Sequence, residues 1–335
     1  MANFLSGEKE AFDRFHISKD AKGCLNSKQG KSICFNCEQI CPKGIMNHDA
    51  SKHVSFEACI DCNLCAVVCP IRTISFSSVN AKKFQEILKS KFETITIGCY
   101  KNGFDKNLDL YCIASLPWEI LAHLAINKKL IFYYDKCSSC LEKGLLEIFE
   151  KNIKRVKEFL GKELYDKNIH LSLDEVKTDV SSKRGLFSSI KRSVLSYKDN
   201  YIHKISRKDM YKWLKFYAKD KIFGWKTLNI NDKKCCGCQI CENICPFDAI
   251  SITKSNNTIT LYHSAMRCNE CGLCKTTCLF EAIEGFKPIH LKGSLMHYHE
   301  NKIRPNKCSC GEFIPHDRQE CFLCENKSRT INLFA

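Results

Sequence analysis

The sequence lacks several features that would place the chain in a common functional class. It has no apolar run approaching the roughly 18 residues that a membrane-spanning helix needs, so we expect no transmembrane segment. Its first residues show neither a basic segment before an apolar run nor a twin-arginine pair, which favours a cytoplasmic, reducing compartment. It also lacks a Gly-rich phosphate loop, a dinucleotide fingerprint and a nucleophile–base arrangement. The sequence therefore does not indicate a stand-alone enzyme.

Cysteine, in contrast, is abundant. The 335 residues include 25 cysteines, which fall into six groups of four with one cysteine left over. In a short secreted chain such a count would indicate disulfides, but a reducing compartment keeps thiols free to hold metal. We therefore predict that the cysteines bind metal rather than each other.

One group of four sets the pattern for the chain. Residues 59–70 read CIDCNLCAVVCP, in which Cys59, Cys62 and Cys65 lie on one tight loop and a proline turns the chain away after the fourth cysteine. This run resembles the [4Fe-4S] ligand run of bacterial-type two-cluster ferredoxins. A zinc knuckle and a disulfide framework are the alternatives, but zinc knuckles usually show two separated CxxC pairs.

The run recurs along the chain, and internal repetition of this kind is read first. Residues 235–246 repeat it intact, residues 268–278 repeat it with a leucine following in place of proline, and residues 34–42 repeat its last three cysteines. Cys24, upstream of this last run, is the expected displaced first ligand. The predicted ligands are Cys24, Cys34, Cys37, Cys41, Cys59, Cys62, Cys65, Cys69, Cys235, Cys238, Cys241, Cys245, Cys268, Cys271, Cys274 and Cys278.

The resemblance implies electron transfer through four [4Fe-4S] clusters in two pairs. In such ferredoxins the fourth cysteine of each run binds the other cluster of its pair. This rule predicts four quartets: Cys24, Cys34 and Cys37 with Cys69; Cys59, Cys62 and Cys65 with Cys41; Cys235, Cys238 and Cys241 with Cys278; and Cys268, Cys271 and Cys274 with Cys245. Each cluster with its thiolates carries a charge of about −2, so the formal charge of +15 is partly a counter-charge for the cofactors.

Residues 81–160 change character. The apolar runs indicate three strands, at 94–97, 108–111 and 130–134, and two helices, at 117–127 and 141–160. Strands that alternate with helices predict a small parallel α/β domain. Cys99, Cys112, Cys137 and Cys140 follow these strands, so we expect them to meet at the carboxyl edge of the sheet.

The order of these four cysteines resembles the delta-subunit domain of methyl-viologen-reducing hydrogenases. The resemblance implies a [2Fe-2S] cluster that passes electrons between partners. Two alternatives remain open, a zinc site and four buried cysteines that hold no metal.

Residues 161–230 contain no cysteine and are strongly basic. From Lys177 to Lys221 there are 13 Lys or Arg against four Asp, a local net charge of +9. In order of preference, this segment is interpreted as a solvated linker, a docking site for an acidic redox partner, or a surface for nucleic acid or an anionic membrane. The residues predicted to face an acidic partner are Lys183, Arg184, Lys191 and Arg192.

The tail carries the last quartet, Cys308, Cys310, Cys321 and Cys324. Its CxC and CxxC pairs resemble a small zinc ribbon, which predicts one tetrahedral zinc ion. Cys236 is the cysteine left over and has no predicted role.

Together these segments predict an α+β chain in which two dicluster ferredoxin-like modules flank a small parallel α/β domain. The predicted boundaries are 1–23 for an N-terminal segment, 24–80 for the first module, 81–160 for the four-cysteine domain, 161–230 for a basic helical linker, 231–287 for the second module and 288–335 for a zinc-ribbon-like tail.

The sequence favours a cytoplasmic multi-cluster protein that transfers electrons between redox partners such as oxidoreductase subunits. The main alternative is an accessory role in assembling or activating an iron–sulfur or molybdenum oxidoreductase, such as a formate dehydrogenase. Nucleic-acid binding through the basic segment and the tail is the weakest interpretation.

Overall fold

The computed structural model of this chain describes most of its residues. They are residues 24–26, 34–46, 58–75, 83–84, 86–88, 90–140, 144–174, 214, 218, 220–292 and 298–326. The N-terminal segment 1–23 and the four basic residues predicted to face a partner, Lys183, Arg184, Lys191 and Arg192, lie outside these ranges. The chain divides into two compact units, residues 1–210 and residues 211–335.

The first unit begins with the segments that carry the first two cysteine runs. Helix α1 (Asn36–Gln39) and helix α2 (Leu64–Val68) are short, and they pack against each other. Helix α2 reads LCAVV and buries its first four residues, Leu64 completely. These buried residues form a small apolar core beside the cysteines of this segment.

A four-stranded sheet follows. Its strands are β1 (Thr94–Cys99), β2 (Leu108–Leu110), β3 (Lys129–Tyr133) and β4 (Ile169–Ser172). They lie in the order β2–β1–β3–β4, and every pairing is parallel. The central strands β1 and β3 are almost wholly buried, which is typical of parallel sheets covered on both faces. The predicted parallel sheet is therefore confirmed.

Helices complete this part of the unit. A 3₁₀ turn (Ile113–Ser115) leads into α3 (Trp118–Asn127), and α4 (Leu145–Leu160) and α5 (Lys162–Asn168) follow strand β3. Helix α4 packs on α3, with the rings of Trp118 and Phe159 5.4 Å apart, and on β3, with the rings of Phe132 and Phe149 5.3 Å apart. The core thus sits between the sheet and these helices.

The structure differs from the sequence prediction at the start of helix α4 and in the segment that follows this helix. The helix was predicted from residue 141, but it begins at Leu145, after Gly144 in a left-handed conformation (φ +83°). Residues 161–174, which the sequence assigned to the basic linker, form helix α5 and the edge strand β4. Strand β4 was missed because it has four residues with polar ones among them, although Ile131 of β3 pairs with His170.

The second unit is built on antiparallel strands. They are β5 (Ile222–Ile230), β6 (Ile250–Lys254), β7 (Ile259–Ser264), β8 (Ile283–Lys292), β9 (Tyr298–Ile303), β10 (Asn306–Lys307) and β11 (Phe313–Ile314). Two short helices, α6 (Ile240–Ile244) and α7 (Leu273–Thr276), lie in the second cysteine module. The strands form three small sheets, β5–β8, β6–β7–β9 and β10–β11.

The pairings extend the second module beyond residues 231–287. Strand β5 comes from the predicted linker and pairs along its whole length with β8, from Ile222 opposite Lys292 to Ile230 opposite Ile283. Strand β9 comes from the predicted tail and pairs with the β6–β7 hairpin, with Ile259 opposite Ile303. The module therefore recruits strands from both neighbouring segments.

Among the residues that the structure describes, no helix is long and apolar enough to cross a membrane.

Candidate metal centres

The second module places its cysteines around two cavities. Cys235, Cys238, Cys241 and Cys278 line a cavity of about 390 Å³. Cys245, Cys268, Cys271 and Cys274 line another of about 310 Å³. In each cavity the last cysteine of one run meets the first three cysteines of the other, so the grouping is crossed.

The first module gathers Cys24, Cys34, Cys37 and Cys69 around a cavity of about 370 Å³. The displaced Cys24 is fixed by its near neighbour Asn26. The Asn26 side chain donates to the Cys34 carbonyl and accepts from the Cys34 N–H, both at 2.9 Å. These reciprocal bonds tie the short segment 24–26 to the start of the next cysteine run.

The pKa values of Cys62 and Cys65 indicate which sulfurs lie close together in the second quartet of the first module. The pKa of Cys62 is raised to about 12, chiefly by burial and in smaller part by the nearby thiolates of Cys41 and Cys59. Burial also raises the pKa of Cys65, with smaller increases from Cys62, Cys59 and Cys41. The four sulfurs therefore lie close enough to oppose one another's ionisation, and a bound cation would remove that opposition.

The cysteine loops share a backbone pattern that sequence reasoning missed. In three runs, the residues two and four positions after the first cysteine are left-handed. They are Asp61 and Asn63, Gly237 and Gln239, and Glu270 and Gly272, with φ between +56° and +76°. Four of the six carry side chains that cost about 1–2 kcal/mol in this conformation. The loop geometry therefore overrides the local preference of these residues.

This conformation presents backbone N–H groups to sulfur. Asp61 N–H donates to Cys59 Sγ at 3.4 Å, and Glu270 N–H donates to Cys268 Sγ at 3.3 Å. Such bonds stabilise a thiolate and influence the potential of any cluster that it holds.

A second left-handed position follows the last cysteine of each run by three residues. It is occupied by Gly44, Arg72, Asp248 and Glu281, with φ between +48° and +61°. In three of the runs the next residue donates its N–H to that cysteine: Thr73 to Cys69 at 3.4 Å, Ala249 to Cys245 at 3.4 Å and Ala282 to Cys278 at 3.3 Å. The repeat of the sequence is thus a repeat of hydrogen bonds to sulfur.

The middle quartet lies at the carboxyl edge of the parallel sheet. Cys99 is the last residue of β1, Cys112 follows β2 by two residues, and Cys137 and Cys140 lie on the turn after β3. The four cysteines line one cavity of about 360 Å³, within the range of the ferredoxin cavities. All four are half-buried rather than enclosed in the core of the domain.

Two contacts to sulfur occur in this cavity, and the first repeats a contact of the cysteine runs. Ala114 N–H donates to Cys112 Sγ at 3.4 Å, the same two-residue step as in the cysteine runs. Lys101, which also lines the cavity, places its Nζ 3.9 Å from Cys140 Sγ. Burial raises the pKa of Cys112 to about 12, so a positive charge is needed to hold it as a thiolate.

The tail quartet is more compact. The sulfurs of Cys308, Cys310, Cys321 and Cys324 all lie within 4.8 Å of one another, and no other such group of metal-ligating atoms occurs among the described residues. The β10–β11 hairpin carries the first pair. Gly311, at φ +89°, makes the turn that returns its N–H to the Cys308 carbonyl at 2.8 Å. Backbone N–H groups of Cys310 and Cys321 lower the pKa of Cys308 to about 6.

Cys236, which the sequence left without a role, is buried and lines the same cavity as Cys235, Cys238, Cys241 and Cys278. Its thiol is hydrogen-bonded to Cys238, and this bond lowers the pKa of Cys238 to about 6. A fifth sulfur therefore stands beside a site that needs four.

Two parts of the chain match known families. Residues 234–282 match a 4Fe-4S dicluster domain, and residues 52–75 match a 4Fe-4S binding domain. The chain therefore contains two ferredoxin-type iron–sulfur domains, which confirms the resemblance to ferredoxins, and neither match covers the middle domain at residues 81–160. The first match spans both runs of the second module, and the second match spans the run from Cys59 to Cys69. No curated protein matches the chain.

Proposed function

We propose that this protein transfers electrons between redox proteins through four [4Fe-4S] clusters and one further cluster at the middle quartet. The observation that carries the proposal is the crossed grouping of cysteines around cavities of similar size, since a crossed grouping is what a two-cluster ferredoxin requires. The ligands would be the sixteen cysteines predicted from the four runs.

When bound, iron–sulfur clusters supply one-electron chemistry, and the chain controls its conditions. Leu64, Ile252 and Leu261 are buried beside the cysteines, and the last two line a cavity wall, so they keep water away. Backbone N–H groups donate to the sulfurs of Cys59, Cys69 and their counterparts. Both effects set the reduction potential at which an electron is accepted.

For the middle quartet we favour a [2Fe-2S] cluster over zinc. Its four sulfurs do not form one of the groups whose ligand atoms all lie within 4.8 Å of one another among the described residues, whereas the sulfurs of the tail quartet do. An ion held by four thiolates at about 2.3 Å needs the tighter arrangement. Lys101 beside Cys140 would offset part of the negative charge of a thiolate-bound cluster.

For the tail quartet we propose one zinc ion with a structural role. The four thiols suffice for a closed tetrahedral site, and the β10–β11 turn fixes the first pair before metal binds. We expect the partners to be redox proteins. The setting would be reducing and cytoplasmic, because the thiols must stay reduced to bind metal.

Metal analysis with EPR tests these assignments together. Protein purified without oxygen should contain about 18 iron atoms per chain, of which about 16 belong to the four [4Fe-4S] clusters, and one equivalent of zinc. The double variant Cys137→Ser with Cys140→Ser should lose about two iron atoms and a [2Fe-2S] signal, while Cys310→Ser should lose zinc and keep the iron. If the double variant loses zinc and no iron, the middle site is a zinc site.

Electron transfer itself is tested by turnover with a low-potential reductant and a dye. The parent should reduce the dye catalytically, and Cys238→Ala, in which one predicted ligand is removed, should be slower than Cys236→Ala. A parent that holds its clusters but does not reduce the dye would contradict the proposal, and a stable complex with an apo-oxidoreductase would then favour the accessory role.

A further inference from the structure

A buried ion pair joins the first ferredoxin module to the α/β domain. Glu119 lies in the first turn of α3 and is 2% exposed. Both of its carboxylate oxygens accept from Arg72 Nη2, at 2.9 and 3.0 Å. A carboxylate buried to this extent is stable only when it is paired and hydrogen-bonded, so Arg72 and Glu119 must stay together.

The same guanidinium also holds the ferredoxin helix. Arg72 Nη1 donates to the carbonyl oxygens of Val67 at 3.0 Å and Ala66 at 3.4 Å, in the last turn of α2. Helix α2 contains Cys65 and is followed directly by Cys69, and these two cysteines belong to different quartets of the crossed pair. Arg72 therefore connects α3 to the helix that joins the two cluster sites of the first module.

The fold of a ferredoxin loop does not require arginine at this position. Gly44, Asp248 and Glu281 occupy the equivalent left-handed position in the other runs, and none is a cation. A left-handed conformation is also costly for an arginine. The residue at position 72 is thus explained by its contact with Glu119 rather than by the loop.

Helix α2 lies against the 3₁₀ turn Ile113–Ser115, which directly follows Cys112. Ala114 of this turn donates its N–H to Cys112 Sγ, and both Ala66 and Ala114 are completely or almost completely buried. The ferredoxin helix and the turn that follows Cys112 therefore meet among buried residues.

We propose that the Arg72–Glu119 pair is a positioning device that holds the middle quartet against the first ferredoxin module, so that the two exchange electrons directly. This inference rests on the proposed function, in which the middle quartet holds a redox cluster. One electron leaves the ferredoxin pair and one enters the middle site, and a low-potential electron-carrier protein replaces the electron. Because electron transfer slows steeply with distance, loosening this contact slows the step without removing any ligand.

Two variants of the holoprotein test the pair. Glu119→Gln keeps the size of the side chain and removes its charge, and Arg72→Lys keeps the charge and removes the planar guanidinium donors. The matched control is Asp166→Asn, which removes the exposed Lys162–Asp166 pair of α5 in the same unit. Iron and sulfide content should be unchanged in all three variants.

The readout is EPR of samples frozen at increasing times after mixing with a reductant. In the parent and in Asp166→Asn, the middle-site signal should rise together with the ferredoxin signals, and its relaxation should be enhanced by the nearby reduced clusters. In Glu119→Gln the rise should be about 10- to 100-fold slower and the enhancement weaker, because a small displacement is amplified in the rate. Arg72→Lys should lie between the two.

The outcomes separate the inference from the proposed function. If the parent shows no redox signal from the middle quartet, the proposed function of that site is wrong and the inference falls with it. If the parent shows the signal and Glu119→Gln reaches full iron content with an unchanged rate and unchanged relaxation, the inference alone is overturned. If Glu119→Gln does not fold, an unchanged rate in Arg72→Lys overturns the inference in the same way.

Discussion

The two ferredoxin modules arrive at crossed cysteine groupings by different routes. In the second module both runs have left-handed residues after the first cysteine, and a β-hairpin separates them. In the first module the run from Cys34 has helix α1 in place of this loop, and Cys24 comes from upstream, held by Asn26. Only the second module matches a dicluster family over both runs. A cysteine can therefore lie outside the usual sequence spacing of a run if hydrogen bonds fix its position.

The largest effect on cluster content is expected when predicted ligands of the crossed quartets in the second module are removed. Cys278→Ala should lose one cluster, about four iron atoms, and adding Cys235→Ala should lose no more, because both cysteines serve the same site. Adding Cys268→Ala instead should double the loss. Iron and sulfide analysis with EPR measures this, and Cys236→Ala is the control. The reverse pattern of losses would show that the ligands are not crossed.

Asn26→Ala should destabilise the Cys24 quartet of the first module, although no predicted ligand is changed. The substitution leaves the N–H and carbonyl of Cys34 without these partners, at a cost of about 1–3 kcal/mol each, and releases Cys24. The cluster of the Cys24 quartet should then be the first lost in air, measured by the decay of absorbance and iron. The exposed Asn243 of the second module provides the control Asn243→Ala. Equal decay in both variants would mean that Asn26 does not hold Cys24.

The left-handed glycine positions differ in how well they tolerate an added side chain. A Cβ on Gly237 (φ +66°) would stand 2.5 Å from Cδ1 of Ile259, whereas a Cβ on Gly272 (φ +76°) meets nothing within 4 Å. Gly272→Ala should therefore cost about 1–2 kcal/mol from its backbone alone, and Gly237→Ala about 1–3 kcal/mol more from overpacking. Anaerobic thermal unfolding of the two variants measures the difference. Equal losses would show that Ile259 moves aside freely.

The smallest effect is expected at Cys236. Replacing it by alanine removes the hydrogen bond to Cys238 and makes that sulfur richer in electrons, so the reduction potential of its cluster should become more negative. The other cluster of the module should keep its potential, which serves as the internal control in an EPR-monitored titration. A shift in both clusters, or in neither, would contradict this role.

The ligand runs could be predicted from the sequence, because the spacing of their cysteines is typical of a cluster-binding loop. The sequence also predicted the strands of the middle domain, since apolar runs such as 94–97 and 130–134 are distinctive. The sequence did not reveal that Asp61, Asn63 and Glu270 are left-handed. Their backbone conformation follows from the hydrogen bonds that the loop makes to sulfur, and not from the intrinsic preference of these residue types. The Arg72–Glu119 pair was equally hidden, because a contact between residues 47 positions apart leaves no local pattern.

Strand β4 and strand β9 were missed for a related reason. Leu171 of β4 is 44% exposed, and β9 alternates exposed and half-buried residues up to Ile303, so neither has the continuous apolar pattern of a central strand. Both are edge strands, whose pairing depends on a partner already in place. A sequence window contains the strand but not that partner.

The position of β9 has a consequence for the order in which the protein can be completed. The outer edge of β7 is covered by residues 298–303, which are synthesised after every cysteine of the second module. A growing chain that has already made Cys278 therefore still exposes an unpaired strand edge, which is a site for aggregation. The three-stranded sheet can therefore close only after residues 298–303 have been synthesised, later than every predicted ligand of the second module.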